Sequence, residues 1–409
     1  MDYSNFYSAN ANLMIPSPIR RMAHLTQKPG IISLAGGYPS IETFPMDIIR
    51  QLLEEAYSRR GAASFQYGLT RGNRELIEWL ADFMKTRGVM TNPENILLTS
   101  GSQQALRLLA DVLLSPGDVA LVELPSYTGG IAALRNSGAE LIGINQVDDG
   151  IVTEDLETTV IRLKAQRRRV KLLYTIPSFQ NPSGITMSTA KRREVLTIAR
   201  KHDFVIIEDD PYYELYFGDR PDTPTIKSLD NEGRVIYLSS FSKILTPGLR
   251  TAWVCADAGF LPKVEIAKEA ADICSSTLDQ EIVLGYCRGG HLARHVLNIR
   301  SFYYGRRNTL VQALRDSMPA GVTWTEPRGG FFAWVRLPEH IDTEAMLSAS
   351  VDRGVAYIIG SPFHVNGAGK NTLRLAYSKE GPENLQKGVA ILAELVSEWM
   401  KSPEARSGR

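Results

Sequence analysis

The sequence predicts an α/β fold: a large domain with a mostly parallel, seven-stranded sheet flanked by helices, joined to a smaller α+β domain. Three observations lead there. Seven short apolar runs recur between residues 95 and 255. Segments of helical period, such as Ser102–Leu114 and Thr189–His202, lie between them. After about Ser301 the pattern changes to one alternating strand, a helix, another strand and a long amphipathic terminus.

The runs are Asn95–Thr99, Val119–Glu123, Glu140–Ile144, Lys171–Ile176, Phe204–Glu208, Val235–Leu238 and Thr251–Cys255. Most are continuously apolar, as strands covered on both faces should be. Ligands of such sheets sit beyond the carboxyl ends of the strands, so those ends are where chemistry is expected. Gly329–Pro338 (GGFFAWVRLP) alternates and predicts a half-exposed strand. Thr343–Arg353 predicts a helix, Thr372–Tyr377 a strand, and Pro382–Lys401 a terminal helix. The first 45 residues are rich in Pro and Gly and predict an extended arm with a short strand. The expected division is 1–45 for the arm and part of the small domain, 46–300 for the large domain, and 301–409 for the small one.

Composition narrows the function. The chain has 409 residues and a net charge of +1, which gives no dedicated nucleic-acid surface. A chain of this length can bury a large core without a disulfide or metal staple. Three cysteines (Cys255, Cys274, Cys287) form no CxxC pair, and a reducing, cytoplasmic setting is expected. The N-terminus lacks the basic and apolar regions of a signal peptide. No stretch is apolar for long enough to span a membrane.

Four strand ends carry reactive residue types. Ser100-Gly101-Ser102-Gln103-Gln104 turns from a strand into a helix, a suitable phosphate site or simply a capped helix. Glu208-Asp209-Asp210 ends a buried strand, where carboxylates need partners: a metal, a helix cap, or a cationic ring nitrogen. Asn181-Pro182-Ser183-Gly184 reads as a turn. Ser239-Ser240-Phe241-Ser242-Lys243, with Arg250 following, places a lysine at the end of a central strand. Lysine is rarely buried without a role, and a desolvated amine beside cations becomes a Schiff-base nucleophile.

Together these motifs resemble a known family. PSFQNPSG, EDDPYYEL, and SSFSK with a GLR whose arginine lies seven residues after the lysine resemble the fold type I pyridoxal-phosphate aminotransferases of class I/II. PSPIR, SLAGGYP, QYG, TSGSQQAL, ELPSYTG and LRLAYS resemble the subgroup of 2-aminoadipate and kynurenine aminotransferases. The resemblance spans nearly the whole chain. It implies pyridoxal 5′-phosphate as cofactor, with Lys243 as the lysine bonded to it. It implies that Asp209 meets the pyridine nitrogen and that Tyr212 and Asn181 meet the ring hydroxyl. Tyr127 matches the stacking aromatic. Ser102, Gln103, Ser240, Ser242 and Arg250 match the phosphate ligands. Arg374 matches the clamp on the substrate α-carboxylate, with Asn181, Gly37 and the mobile Arg20 on the substrate side. Tyr67 matches a tyrosine that reaches the neighbouring subunit's phosphate, so a homodimer is implied. Tyr7, Leu34 and Tyr38 are expected near the side-chain pocket. Ser183 departs from the family's usual threonine, a position that supports the loop.

The residue types suit the chemistry. A carboxylate keeps a ring nitrogen protonated, a free amine can carry a proton, and a guanidinium grips a carboxylate with two hydrogen bonds. The implied activity is amino transfer between an L-amino acid (2-aminoadipate, aromatic or branched aliphatic type) and 2-oxoglutarate, by a ping-pong mechanism. Other chemistry with the same cofactor, such as C–S β-lyase or decarboxylase activity, uses the same residues. The fold also serves as the effector domain of transcription regulators, but the motifs here begin at Pro16–Arg20 and leave no room for a DNA-binding domain. Three decoys are rejected. NGAGKNT lacks the first glycine and the final Ser or Thr of a phosphate loop. His291 and His295 lack the glutamate of a zinc helix and read as helix surface. The basic run Arg162–Lys171 reads as a solvated helix end.

Overall fold

A computed structural model describes residues 1–12, 14, 16 and 30–401. All seven expected strands lie in one sheet. They are β2 (Ile96–Thr99), β3 (Val119–Leu124), β4 (Glu140–Val147), β6 (Val170–Thr175), β7 (Val205–Asp209), β8 (Val235–Ser240) and β9 (Ala252–Cys255). A two-residue strand, β5 (Gly150–Ile151), folds back on β4 as an eighth, giving the order β2-β9-β8-β7-β6-β3-β4-β5. The strands from β8 to β4 are parallel, and β9 runs against both its neighbours.

The strand period of two splits the buried residues between two layers. Leu172 and Tyr174 of β6 join the layer under helices Ser102–Leu113, Thr128–Arg135 and Leu261–Asp272. Leu173 joins the opposite layer under Thr153–Ala165 and Thr189–His202. Ser188 caps the last of these helices by accepting from the Lys191 amide.

A third core joins helices Met46–Arg60, Arg74–Thr86, Thr277–Arg288 and His291–Ser317 to a second, antiparallel sheet. That sheet has the order β10 (Thr323–Trp324), β11 (Phe332–Arg336), β14 (Thr372–Ala376), β13 (Ile358–Ile359). The strand β11 is more buried than its alternation suggested. Phe332–Val335 are all buried because that sheet is covered on both faces. Helix Pro382–Lys401 packs on this sheet's core. The short β1 (Ile32–Ser33) pairs in parallel with β12 (Val355–Ala356), tying this early segment to the C-terminal part of the chain. Leu34 follows it into that core beside Gly388, away from the expected side-chain pocket. Among the described residues, no helix is long and apolar enough to cross a membrane.

Candidate active site

Polar residues gather where β2, β6, β7 and β8 end. Asp209 is the last residue of β7, Ser240 the last of β8, and Lys243 lies three residues beyond it. The three adjacent carboxylates are each answered differently. Glu208 accepts from the amides of Ile226 and Lys227 and faces the fully buried Arg192. Asp210 Oδ2 accepts from the Tyr237 hydroxyl, which Arg87 Nη1 in turn meets. Arg87 is itself buried and pairs with Glu214 through Nε at 3.1 Å. Asp209 has no arginine. Its Oδ2 accepts from Tyr174 Oη at 2.8 Å, and its Oδ1 is buried without a partner. Burial raises the Asp209 pKa to about 7, against the hydrogen bond from Tyr174, with Asp210 adding to the rise and Lys243 opposing it.

Lys243 is partly buried, with Nζ 5.8 Å from the Phe331 ring centroid and 6.0 Å from that of Tyr212. Burial, then the positive charges of Arg374 and Arg250, lower its pKa to about 8, while Asp209 opposes the fall. The amine is therefore partly neutral near physiological pH, as a Schiff-base lysine requires. Tyr212 stands edge-on to Phe331 and Phe332, and burial pushes its hydroxyl well above the ordinary range.

Arg374, in the middle of β14, reaches the same place from the second sheet. Its Nη1 donates to Asn181 Oδ1 at 2.8 Å and its Nη2 to the Ala35 carbonyl at 2.9 Å, while Nε is buried and unpartnered. The guanidinium stacks over Phe332, 4.2 Å from the ring centroid. Burial lowers its pKa to about 10, so it stays charged. Gly37 lies beside this group: a Cβ there would collide with Phe332 and come within 3.8 Å of Arg374 Nη2.

The turn after β2 has the form of an anion cup. Gly101 has φ +87°, a region that glycine enters readily, and helix Ser102–Leu113 starts immediately after it. Ser102 Oγ is buried without a partner. Arg250 Nη2 donates to the Ser100 carbonyl at 3.2 Å, and a Cβ on Gly101 would collide with that guanidinium. Ser240 Oγ donates to Ser242 Oγ at 2.8 Å and also accepts from the Ser242 amide. Gln103 Nε2 donates to the Gly129 carbonyl at 2.9 Å, and Tyr127 Oη lies 3.5 Å from Gln103 Oε1. A Cβ on Gly129 would press on the Tyr127 ring.

The structure thus brings together Lys243, Asp209, Tyr212, Asn181, Tyr127, Ser102, Gln103, Ser240, Ser242, Arg250, Arg374 and Gly37. Tyr67 stands apart, 75% exposed, lining a cleft of about 270 Å³ with Arg60, Thr277 and Glu281. Arg20 lies outside the described residues. Tyr7 and Tyr38 are exposed. His295 is not on the helix surface but buried edge-on to Tyr286, where desolvation lowers its pKa to about 4. No group of His, Cys, Asp and Glu among the described residues could hold a metal ion.

Sequence reasoning missed the residues behind the site. Glu123, fully buried on β3, accepts from Thr175 Oγ1 (2.6 Å), the Ile176 amide (3.1 Å) and Gln180 Nε2 (3.0 Å). Gln180 Oε1 in turn accepts from Ser183 through its amide and Oγ, which fixes the Asn181 loop. Asp272 accepts from Ser100 Oγ and Gln104 Nε2 and pairs with the fully buried Lys268 at 2.7 Å, bracing the turn from behind. A charged or hydroxylic residue inside an apolar strand, such as Glu123 or Tyr174, was the available signal.

These residues fit a phosphorylated, ring-bearing cofactor. Ser102 Oγ, Asp209 Oδ1 and Arg374 Nε are all buried donors or acceptors left unpaired within the site. Comparison with known proteins agrees. A family model described as "Aminotransferase class I and II" matches residues 30–392. The aromatic-amino-acid aminotransferase 1 of Thermococcus litoralis is 42% identical over 98% of this chain and 96% of its own. The kynurenine aminotransferase of Pyrococcus horikoshii, solved in complex with PMP, KYN and KYA, superimposes with a TM-score of 0.94 at 42% identity, over 98% of this chain and 99% of that one. The α-aminoadipate aminotransferase of Thermus thermophilus, solved with N-(5′-phosphopyridoxyl)-L-leucine, gives a TM-score of 0.90 at 33% identity, over 98% and 100%.

Proposed function

The chain belongs to the class I and II aminotransferases, with pyridoxal 5′-phosphate as cofactor, and from that premise we propose its substrates and the part each residue plays. The donor is an L-amino acid of the 2-aminoadipate, aromatic or branched aliphatic type, and 2-oxoglutarate is the acceptor. Both take turns in one pocket. The names of the relatives support this range. The observation that carries it is the meeting of the Lys243 amine with Arg374, Arg250 and Asp209, which are remote from one another in sequence and whose charges act on that amine.

When bound, the cofactor supplies the electron sink that makes the donor's Cα–H bond acidic. Lys243 would hold it covalently through Nζ. Once freed by the donor, the neutral Nζ would be the base that takes up the donor's Cα proton, and as the resulting ammonium it would be the acid that gives that proton back to complete the amino transfer. Asp209, ionised, would keep a proton on the ring nitrogen through Oδ1. Tyr212 and Asn181 would hold the ring hydroxyl, and Tyr127 would cover the ring. Ser102, Gln103, Ser240, Ser242 and Arg250 hold the phosphate at the helix N-terminus, whose dipole favours an anion. Arg374 would grip the α-carboxylate, with its buried Nε left unpartnered. Arg20 admits a side-chain carboxylate.

The enzyme works as a cytoplasmic homodimer in which Tyr67 reaches the other subunit's phosphate. The exposure of Tyr67 and the three unpaired cysteines support this. The decisive experiment is a panel of amino donors with 2-oxoglutarate, following keto-acid loss and the cofactor spectrum together in the native chain and in Lys243→Ala. Amino exchange without ammonia or CO₂ release is expected, and full turnover by Lys243→Ala would overturn the reading. Mixing Lys243→Ala with Tyr67→Ala subunits at a 1:1 ratio should restore about a quarter of the native activity, since random reassociation makes half of the dimers mixed and each mixed dimer contains one intact site of two. No restoration would refute the shared site.

A further inference from the structure

We propose that Tyr174 is a positioning residue for Asp209: its hydroxyl holds Oδ2 so that the carboxylate stays ionised and Oδ1 is left for the cofactor's ring nitrogen. This rests on the reading of Asp209 above. Tyr174 lies on β6 opposite Ile207 of β7, two residues before Asp209. Its side chain is fully buried in the apolar layer with Leu172 and Ala133. A hydroxyl there is costly unless bonded, and it donates to Asp209 Oδ2 at 2.8 Å.

The surroundings are shaped for this contact. Gly130 sits within helix Thr128–Arg135 although glycine is a poor helix former, and a Cβ there would collide with the Tyr174 ring. The helix thus gives up a side chain to seat the tyrosine. Burial and the charge of Asp209 push the Tyr174 hydroxyl far above its ordinary range, so it remains a donor.

The charges facing the pair leave this donor with a distinct task. Asp210, the next residue after the strand, repels the Asp209 carboxylate, and Lys243 attracts it. Glu123 and Tyr127 also face Tyr174. Arg192 and Arg87 are committed to Glu208 and Asp210. Burial drives Asp209 toward the protonated form, and the Tyr174 hydrogen bond is the largest opposing influence. A protonated Asp209 could not hold a proton on a ring nitrogen, so the tyrosine protects the electron sink.

The test uses the full chain in two forms. In the cofactor-free chain labelled with ¹³C-aspartate, the Asp209 carboxyl signal, assigned by its loss in Asp209→Asn, is titrated. Tyr174→Phe should raise the titration midpoint by about 1–2 pH units, the worth of a hydrogen bond to a charged group. In the holoenzyme carrying ¹⁵N-pyridoxal phosphate, the ring nitrogen of Tyr174→Phe should lose its proton at lower pH than in the native enzyme. Replacing Tyr174 with 3-fluorotyrosine, a stronger donor of nearly equal size, should move the carboxyl midpoint down. Unchanged midpoints in Tyr174→Phe, or a shift of the same sign in both variants, would overturn the proposal. Asp209→Asn separates the two readings. If its ring nitrogen stays protonated, the role of Asp209 itself fails. If it loses the proton while Tyr174→Phe shifts nothing, only the role of Tyr174 fails.

Discussion

Arg374 Nη1 donates to Asn181 Oδ1 at 2.8 Å, joining the second sheet to the loop that follows β6. The contact turns two side chains proposed to face the substrate into one unit. Asn181 fixes the plane of the guanidinium, the Ala35 carbonyl fixes its other nitrogen, and Phe332 supports it from below. A planar group held at three points presents its remaining donors in one orientation, the condition for a two-pronged grip on a carboxylate.

Arg374→Lys should therefore be costly although it keeps the charge. A lysine amine is a point charge and cannot bond Asn181 and a substrate carboxylate in the same geometry. The expected loss in kcat/KM is about 10- to 100-fold for 2-oxoglutarate and for every amino donor alike, since all share the α-carboxylate. Steady-state kinetics across the donor panel checks this. A loss confined to acidic donors would assign Arg374 to the side-chain pocket instead.

Gly101→Ala tests the phosphate turn. The φ of +87° disfavours any L side chain, and the new methyl would displace Arg250. Backbone strain at such a position costs on the order of 1 kcal/mol. Equilibrium binding should show cofactor affinity falling by about tenfold or more, with the secondary structure intact by circular dichroism. Unchanged affinity would remove Arg250 and this turn from the phosphate site.

How much of this was legible in the sequence depends on the range of the interactions. The strands of the large sheet could be read because strands buried on both faces need continuous apolar runs, as in Lys171–Ile176 and Val235–Leu238. The strands β5 and β12 could not, since two residues carry no period. The residues proposed to hold the cofactor stood out because motif order carried them. The counter-charges were not. Arg192 answers Glu208 and Arg87 answers Asp210 through tertiary packing, and no local rule pairs residues so far apart. The carboxylates at 209 and 210 announced that partners were needed but not which ones. Leu34 misled because Gly37, three residues on, lies beside Arg374 while its own side chain packs into the core beside Gly388.

Glu123→Gln tests the support of the Asn181 loop. The carboxylate is an acceptor to three donors, and an amide would set its NH₂ group against either Gln180 Nε2 or Thr175 Oγ1. Leaving one buried donor unpaired costs about 1–3 kcal/mol. Urea unfolding should show that loss. Asn181 should loosen as well, raising KM for both substrates more than it lowers kcat. Destabilisation with unaltered KM would confine Glu123 to a structural role.

The pH dependence of Lys243 has a definite sign. Its pKa in the cofactor-free fold lies at about 8, below the ordinary 10.5, because burial and the charges of Arg374 and Arg250 disfavour the ammonium. Below about pH 8 the amine is protonated both folded and unfolded. Between about 8 and 10.5 the unfolded chain holds the extra proton, so this group makes stability rise with pH across that window. Lys243→Met, which removes the buried charge, should therefore stabilise the cofactor-free chain most below pH 8, with the advantage shrinking as pH climbs toward 10.5. Urea unfolding at pH 7 and pH 10 measures the difference. The same titration governs reactivity. Acylation of Lys243 by a small neutral ester, followed by mass spectrometry, should rise about tenfold per pH unit below pH 8 and level off above it, because only the free amine reacts. Arg250→Gln removes a repelling cation and should move the inflection up. Asp209→Asn removes the anion that favours the ammonium and should move it down. If both variants shifted the inflection the same way, the charges around Lys243 would not be setting its pKa.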